Sequence, residues 1–340
     1  MTFDASIDDL RQKLENFITE QTGAEVRITG AKPLAGGASR ESWALTVAID
    51  EVEEALVMRK DMPTTMNEQA LTRRQEFTLM QAAYDAGVRV ARMRFLCEDP
   101  DVLGLPFFLM DFVPGVSIGT KVIRDPALEH ARSVLPEQMA EQLAIIHSMQ
   151  VDHLDFLQGP PDSLTHAQAV VQATRQVLDD LGLHVPAFEY ALRWAEQHAP
   201  TDEPLTFAHG DFRIGNLLVD ENGLAAVIDW EFAHLGSPAE ELGYLCMRDW
   251  RFGNDHLHAA GLCPRERLIR AYEAASGRAV DRDAVDWWEI MGNIRWGVIC
   301  LSQANRHLSG EDPSVELASL GRRSAEMQLE ALRLIEKVGL

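Results

Sequence analysis

Basic residues are scarce in this chain. Lys and Arg number 31 against 53 Asp and Glu, a formal net charge of −22. Such a surface repels phosphate backbones and anionic membranes, so nucleic acid and membrane are excluded as expected partners. Long apolar runs are missing as well. No uninterrupted stretch approaches the roughly 20 residues of a spanning helix, and the opening MTFDASIDDLRQKLENF is polar and acidic, unlike a secretory signal. The four cysteines, Cys97, Cys246, Cys263 and Cys300, are far apart, with no C-x-x-C pair and no histidine at metal-ligand spacing. Buried free thiols in a reducing compartment are expected, hence a cytoplasmic protein. Internal repeats and low-complexity segments are also absent.

What is present is ordinary for a soluble globular chain: 340 residues, 46% hydrophobic and 25% charged, enough for two lobes with a substantial core. Ile7, Leu10, Leu14, Phe17 and Ile18 recur at helical spacing, which predicts an amphipathic helix ending near Gly23. Three strand-like runs follow, at 25–34, 42–49 and 55–59, with the small-residue turn 35–40 between the first two. A helix is expected over about 67–86, and strands at 92–97 and 106–112, the last closed by Pro114-Gly115. Beyond that point the pattern turns helical, at 136–149, 167–181 and 187–198. One β-rich insertion interrupts it over 206–230, where strands at 216–219 and 225–228 flank the turn Asp220-Glu221-Asn222-Gly223. Asn-Gly is expected to supply positive φ in this turn. The expected fold class is therefore α+β. A small β-rich lobe (1–113, including a hinge) precedes a larger, mainly helical lobe (114–340) that carries the hairpin.

The chemistry concentrates around that hairpin. His209-Gly210-Asp211-Phe212-Arg213-Ile214-Gly215-Asn216 precedes it and Val227-Ile228-Asp229-Trp230-Glu231 follows it. Folding the hairpin is expected to bring Asp211, Asn216 and Asp229 to one end. Phosphoryl transfer needs such a set: hard oxygen ligands for Mg²⁺ and a carboxylate to orient the attacking hydroxyl.

H-x-D-x-x-x-x-N followed by I-D-W-E resembles the aminoglycoside phosphotransferase and choline kinase family, relatives of the protein kinases. The resemblance runs from about Ala31 to Tyr244. It implies a bilobal protein-kinase-like fold with a small antiparallel sheet, ATP and Mg²⁺ as cofactors, and a small-molecule hydroxyl as acceptor. Carried over residue by residue, it implies that Asp211 is the catalytic carboxylate and that Asn216 and Asp229 hold Mg²⁺. Arg213 would stabilise charge on the transferred group, and His209 would brace the loop. Gly36, Gly37 and Ser39 match the phosphate-covering loop. Strand alternation puts Val57 and Arg59 on one face. Arg59 then takes the place of a phosphate-binding lysine, with Glu76 as its ion-pair partner and Lys60 pointing away. Met110, Asp111 and Val113 match the adenine-reading hinge. Where the family usually has G-D-P-x-x-D-L, this chain has Gly236-Ser237-Pro238-Ala239-Glu240-Glu241-Leu242.

The acceptor is open at this point. Arg248, Arg251, Arg265, Arg267, Arg270 and Arg295, together with several tryptophans, suit an amphipathic or anionic molecule better than a polycationic antibiotic. The chain also resembles phosphotransferase domains joined to acyl-CoA dehydrogenases, which implies a hydroxyacyl thioester; choline or a sugar is the alternative. A different class of function, a nucleotide-binding pseudokinase acting as an interaction module, would be signalled by loss of Asp211, Asn216 or Asp229, and all three are present. His147, on an apolar helix, is expected to be a satisfied core histidine, and the tryptophans of 286–296 to pack between helices.

Overall fold

A computed structural model describes residues 4–34, 40–61, 71–157 and 159–339. The chain divides into two compact units, one formed by 1–115 with 225–232, the other by 116–224 with 233–340.

In the first unit, helix α1 (Asp4–Thr22) stops where Gly23 adopts φ +71 and its N–H reaches the Thr19 carbonyl at 2.7 Å. Five strands follow: β1 (Val26–Pro33), β2 (Arg40–Ile49), β3 (Val52–Asp61), β4 (Met93–Cys97) and β5 (Phe107–Asp111). They form one sheet in the order β1-β2-β3-β5-β4, every neighbouring pair antiparallel. Period-2 alternation sorts its two faces. Leu56 and Met58 of β3 and Phe107 and Leu109 of β5 join Leu14, Phe17 and Ile18 of α1 in a single buried cluster. Each such side chain contributes roughly 1.5–3 kcal/mol by leaving water. The opposite face receives helix α2 (Arg73–Asp85), where Phe77 meets Phe108 edge-on with ring centroids 6.2 Å apart. Residues 67–70 of the expected helix lie outside the described residues. The helix begins at Arg73, because Thr72 and Gln75 close a capping box there. A single turn, α3 (Pro100–Leu103), links β4 to β5.

The second unit is mainly helical: α4 (Gly119–Arg124), α5 (Glu129–Ile146), α6 (His166–Asp180), α7 (Pro186–Gln197), α8 (Pro238–Cys246), α9 (Arg265–Ser276), α10 (Arg282–Leu308) and α11 (Val315–Val338). Helix α5 starts earlier than the expected 136 and runs through Pro136. Two short strands, β6 (Thr206–Ala208) and β9 (His234–Gly236), pair antiparallel with Ala208 opposite His234. Strands β7 (Leu217–Asp220) and β8 (Gly223–Val227) form a two-stranded sheet. Only Gly223 has positive φ in the turn joining them (+116); Asn222 does not. The Asp220 carboxylate accepts the Asn222 N–H at 2.7 Å instead, so the turn is closed by a side chain. Gln138 of α5 clamps it, donating to the Asn222 carbonyl and accepting from the Leu224 N–H. The long α10 packs against α8 and α11.

All four cysteines are buried and unpaired. Among the described residues, no helix is long and apolar enough to cross a membrane.

The α8–α10 contact is close enough to test. A Cβ on Gly243 would lie 2.7 Å from the backbone nitrogen of Glu289 and 2.8 Å from the Trp288 Cβ. Gly243→Ala is therefore expected to cost about 1–3 kcal/mol through overpacking, read as a lowered melting temperature. A melting temperature at or above wild type would contradict this packing.

Candidate active site

The loop after β6 is built on a buried acid. Glu241 of α8 accepts the backbone N–H groups of His209 and Gly210, each at 3.1 Å, and the His147 Nε2 at 2.9 Å. His147 bonds in turn to the Tyr272 hydroxyl at 2.8 Å, so it is a fully engaged core histidine. Gly210 has φ +84, which lets the chain turn sharply and return the Asp211 N–H to the His209 Nδ1 at 3.2 Å. That hydrogen bond makes Nδ1 of His209 an acceptor, consistent with a bracing role.

Asp211 is thereby presented with its carboxylate surrounded by donors. Tyr244 Oη donates to Oδ1 at 2.6 Å and Arg213 Nε at 3.1 Å, while Asn216 Nδ2 reaches Oδ2 at 2.5 Å. Asn216 also donates to the Asp211 carbonyl at 2.9 Å. The Arg213 guanidinium lies over the Trp250 ring, 4.8 Å from its centroid. A Cβ on Gly215 would fall 2.0 Å from Arg213 Nη1, so the glycine keeps that position open.

The first unit holds a second charged cluster. Arg59 of β3 donates to Glu76 of α2 and to Asp229, both at 3.0 Å. Burial alone would lower the Arg59 pKa. The carboxylates of Glu76, Asp229 and Glu231 outweigh it and hold the guanidinium firmly protonated. Glu76 is fully buried and is also paired with Arg73, which reaches Asp61 at 2.9 Å. Lys60 points the other way and pairs with Glu41 across the sheet at 2.9 Å. Asp229 has φ +69, a costly conformation for a non-glycine residue. Its neighbours impose it: the Val227 N–H bonds to Arg89, the Glu231 carbonyl accepts from Leu71, and Trp230 is buried with its indole N–H on the Val227 carbonyl.

The expected residues thus fall into two groups. Asp211, Arg213 and Asn216 come together in the second unit; Arg59, Glu76 and Asp229 come together in the first. Met110 is buried on β5 opposite Val57. Asp111 spends its N–H on the Arg92 carbonyl and its carboxylate on Arg94, and Val113 follows the strand half-buried. Gly36, Gly37 and Ser39 lie outside the described residues.

Three contributors went unread in the sequence. Arg73 clamps Glu76, and its spacing of three residues on a helix was the available signal. Glu241 was visible only as a departure from the family pattern. Tyr244 carried no local signal, because its hydroxyl meets Asp211 through tertiary packing alone.

The arginines expected to favour an anionic acceptor are all engaged with acids instead. Arg251 is buried against Glu289 and the Cys246 carbonyl, and Arg248 pairs with Asp255. Arg265, Arg267, Arg270 and Arg295 pair with Asp286, Glu137, Glu266 and Glu240. The indoles of Trp287 and Trp288 donate to Ala195 and Glu203, which makes them packing residues.

A family description of phosphotransferase enzymes matches residues 30–288, well over half of the chain. The chain belongs to the phosphotransferase enzyme family. Among relatives of this chain, mouse acyl-CoA dehydrogenase family member 10 is 32% identical over 210 residues, 59% of this chain and 19% of that protein. Human acyl-CoA dehydrogenase family member 11 is 27% identical over 246 residues, 70% of this chain and 30% of that one. The chain therefore spans less than a third of either relative. Among solved structures, a Ralstonia eutropha protein classed with the aminoglycoside phosphotransferases superposes with a TM-score of 0.75 at 23% identity, covering 96% of this chain and 98% of that one. Aminoglycoside phosphotransferase APH(4)-Ia, in a ternary complex with AMP-PNP and hygromycin B, gives 0.61 at 15% identity over 95% and 98%. These likenesses identify the fold.

Burial alone would raise the Glu241 pKa. The His147 hydrogen bond, the nearby His147 and His209 rings and the backbone N–H of His209 outweigh it and hold the carboxyl below its ordinary value of 4.5. A depressed folded-state value contributes stability that is present above the unfolded pKa and is lost as pH falls through the folded one. Glu241→Gln is expected to be less stable than wild type at neutral pH, with the gap narrowing below about pH 4.5. Denaturant unfolding at neutral and acid pH reads it; a gap constant with pH would refute the ionised Glu241.

Proposed function

We propose that this phosphotransferase is an ATP- and Mg²⁺-dependent kinase that moves the γ-phosphoryl group to a hydroxyl of a small molecule. The carrying observation is the state of Asp211: a carboxylate fixed by Tyr244, Arg213 and Asn216, and therefore pre-aimed. A carboxylate held this way orients an alcohol for attack and accepts its proton as the bond to phosphorus forms. Arg213, whose Nε holds Asp211, would stabilise charge on the group in flight through its guanidinium.

The donor set fits Mg²⁺. Asn216 spends its amide nitrogen on Asp211, which leaves the carboxamide oxygen as its ligand atom, and Asp229 offers a carboxylate; both are hard oxygens. When bound, the ion would supply positive charge at the nucleotide phosphates. On the nucleotide side, Arg59 is held by Glu76 as a permanent cation, suited to phosphate oxygens. The Asp111 carbonyl and Val113 N–H, with Met110, would read adenine, and Gly36, Gly37 and Ser39 would cover the phosphates.

The acceptor reading leans on aromatic chemistry. Tyr244, Trp250 and Trp296 follow one another at centroid distances of 5.3 and 5.5 Å, beginning at the residue that touches Asp211. Trp250 is buried, and the partly exposed rings of Tyr244 and Trp296 beside it favour an amphipathic alcohol over a polycation. The family relation to the acyl-CoA dehydrogenase members points to a hydroxyacyl thioester. Four unpaired buried thiols support a reducing, cytoplasmic setting.

The test is ADP release from ATP and Mg²⁺ with hydroxyacyl thioesters, choline, sugars and aminoglycosides as acceptors, in wild type and Asp211→Ala. Acceptor-dependent turnover is expected with a hydroxyacyl thioester, falling roughly 10²- to 10⁴-fold in the variant. Unchanged turnover in Asp211→Ala would overturn the assignment. Nucleotide binding without turnover on any acceptor would favour an interaction module.

A further inference from the structure

Away from Asp211, three ligating side chains of the second unit converge behind the same loop. His166 opens α6, His234 opens β9, and Glu240 lies in the first turn of α8. The His166 Nε2 is 2.6 Å and the His234 Nε2 3.1 Å from one and the same oxygen, Oε2 of Glu240. All three ligand atoms lie within 4.8 Å of one another. The other carboxylate oxygen, Oε1, is engaged by Arg295 at 3.2 Å, which fixes which oxygen faces the imidazoles. His166 is held in plane by stacking on Trp288, ring centroids 5.1 Å apart.

A second feature is how closely the three donors crowd Gly236. A Cβ built on Gly236 would lie 2.7 Å from Glu240 Oε2, 2.8 Å from His234 Nε2 and 3.1 Å from His166 Nε2. That point lies one bond length from the Gly236 Cα and is no seat for an ion, but a side chain there would press on all three donors, so only a glycine lets them converge. We propose that His166, His234 and Glu240 form a binding site for one divalent transition-metal ion of the zinc class, separate from the Mg²⁺ ligands. Two imidazoles and one carboxylate oxygen are a zinc-type donor set, reached at about 2.0–2.2 Å. The ion would replace the hydrogen bonds that now join the imidazoles to Glu240; a neutral imidazole keeps its proton by moving it to Nδ1. Arg295 on Oε1 is the outer contact that orients the carboxylate.

The placement gives the ion a structural role. His234 pairs across β6–β9 with Ala208, the residue before His209, and Glu240 precedes Glu241, which holds the His209 and Gly210 N–H groups. A bound ion would pin α6, β9 and α8 together behind the Asp211 loop.

The test is metal content of the full chain, stripped with chelator, refilled with Zn²⁺ or Co²⁺ and desalted. Wild type is expected to retain one equivalent of Zn²⁺, to show visible Co²⁺ bands of a low-coordinate site, and to melt at higher temperature when loaded. Removing a ligand exceeds the effect of losing an outer contact, so His234→Ala is expected to weaken binding more than about 100-fold. Gly236→Ala, which keeps every ligand but pushes a methyl against all three donor atoms, is expected to abolish the Co²⁺ bands; circular dichroism checks that both variants fold. Zinc retained equally by wild type and both folded variants, or by none of them, would overturn the proposal and leave the three residues a hydrogen-bonded cluster. The outcome is independent of kinase turnover.

Discussion

A carboxylate can be kept ionised and immobile away from water only where donors surround it, and both charged clusters of this protein are built on that constraint. Glu241 is buried, and its partners are two backbone N–H groups and a histidine. Glu76 is buried between two guanidiniums, Arg59 and Arg73. Removing any one donor would leave a buried charge under-compensated, which is the expensive direction for such networks. The geometry of the Asp211 loop follows from this. The loop turns where it does because its N–H groups must meet the Glu241 carboxylate, and Asp211 is then delivered to Tyr244, Arg213 and Asn216.

The two clusters differ in how their rigidity arises. In the first unit, a sheet supplies it: strand alternation aims Arg59 at α2, and the packed β5 fixes α2 through Phe108 and Phe77. Asp229 is forced into positive φ by hydrogen bonds on either side of it. In the second unit, rigidity comes from helix termini and a short β-bridge, with α8 contributing Glu240, Glu241 and Tyr244 along one helix. Residues at this spacing share a helix but serve different tasks, because each projects toward a different neighbour.

Much of this was legible in the chain. The strand periods of 42–49 and 55–59 mark real strands, and the Arg59–Glu76 pair forms as the alternation implied. Asp211 and Asn216 meet because five positions separate them across one tight turn, a local matter. The turn at Asn222-Gly223 was legible as a turn but not in type, since the Asp220 carboxylate and Gln138 of a distant helix determine how it closes. The arginines of the C-terminal region read as a surface for anions, yet each one found an acid. Sequence lists charges without their partners, and pairing is a property of the folded arrangement.

The amino-acid sequence by itself determined the α+β class, the strand and helix periods, the absence of disulfides and the motif set His209–Asn216 and Val227–Glu231, because these depend on spacing within a few residues. Tertiary structure alone decided that Tyr244 bonds to Asp211, that Glu241 and His147 carry the loop, and that His166 reaches His234 and Glu240 over Gly236. Those contacts join residues far apart in the chain. No local periodicity encodes them, and only the burial of apolar surface around them makes the meeting favourable.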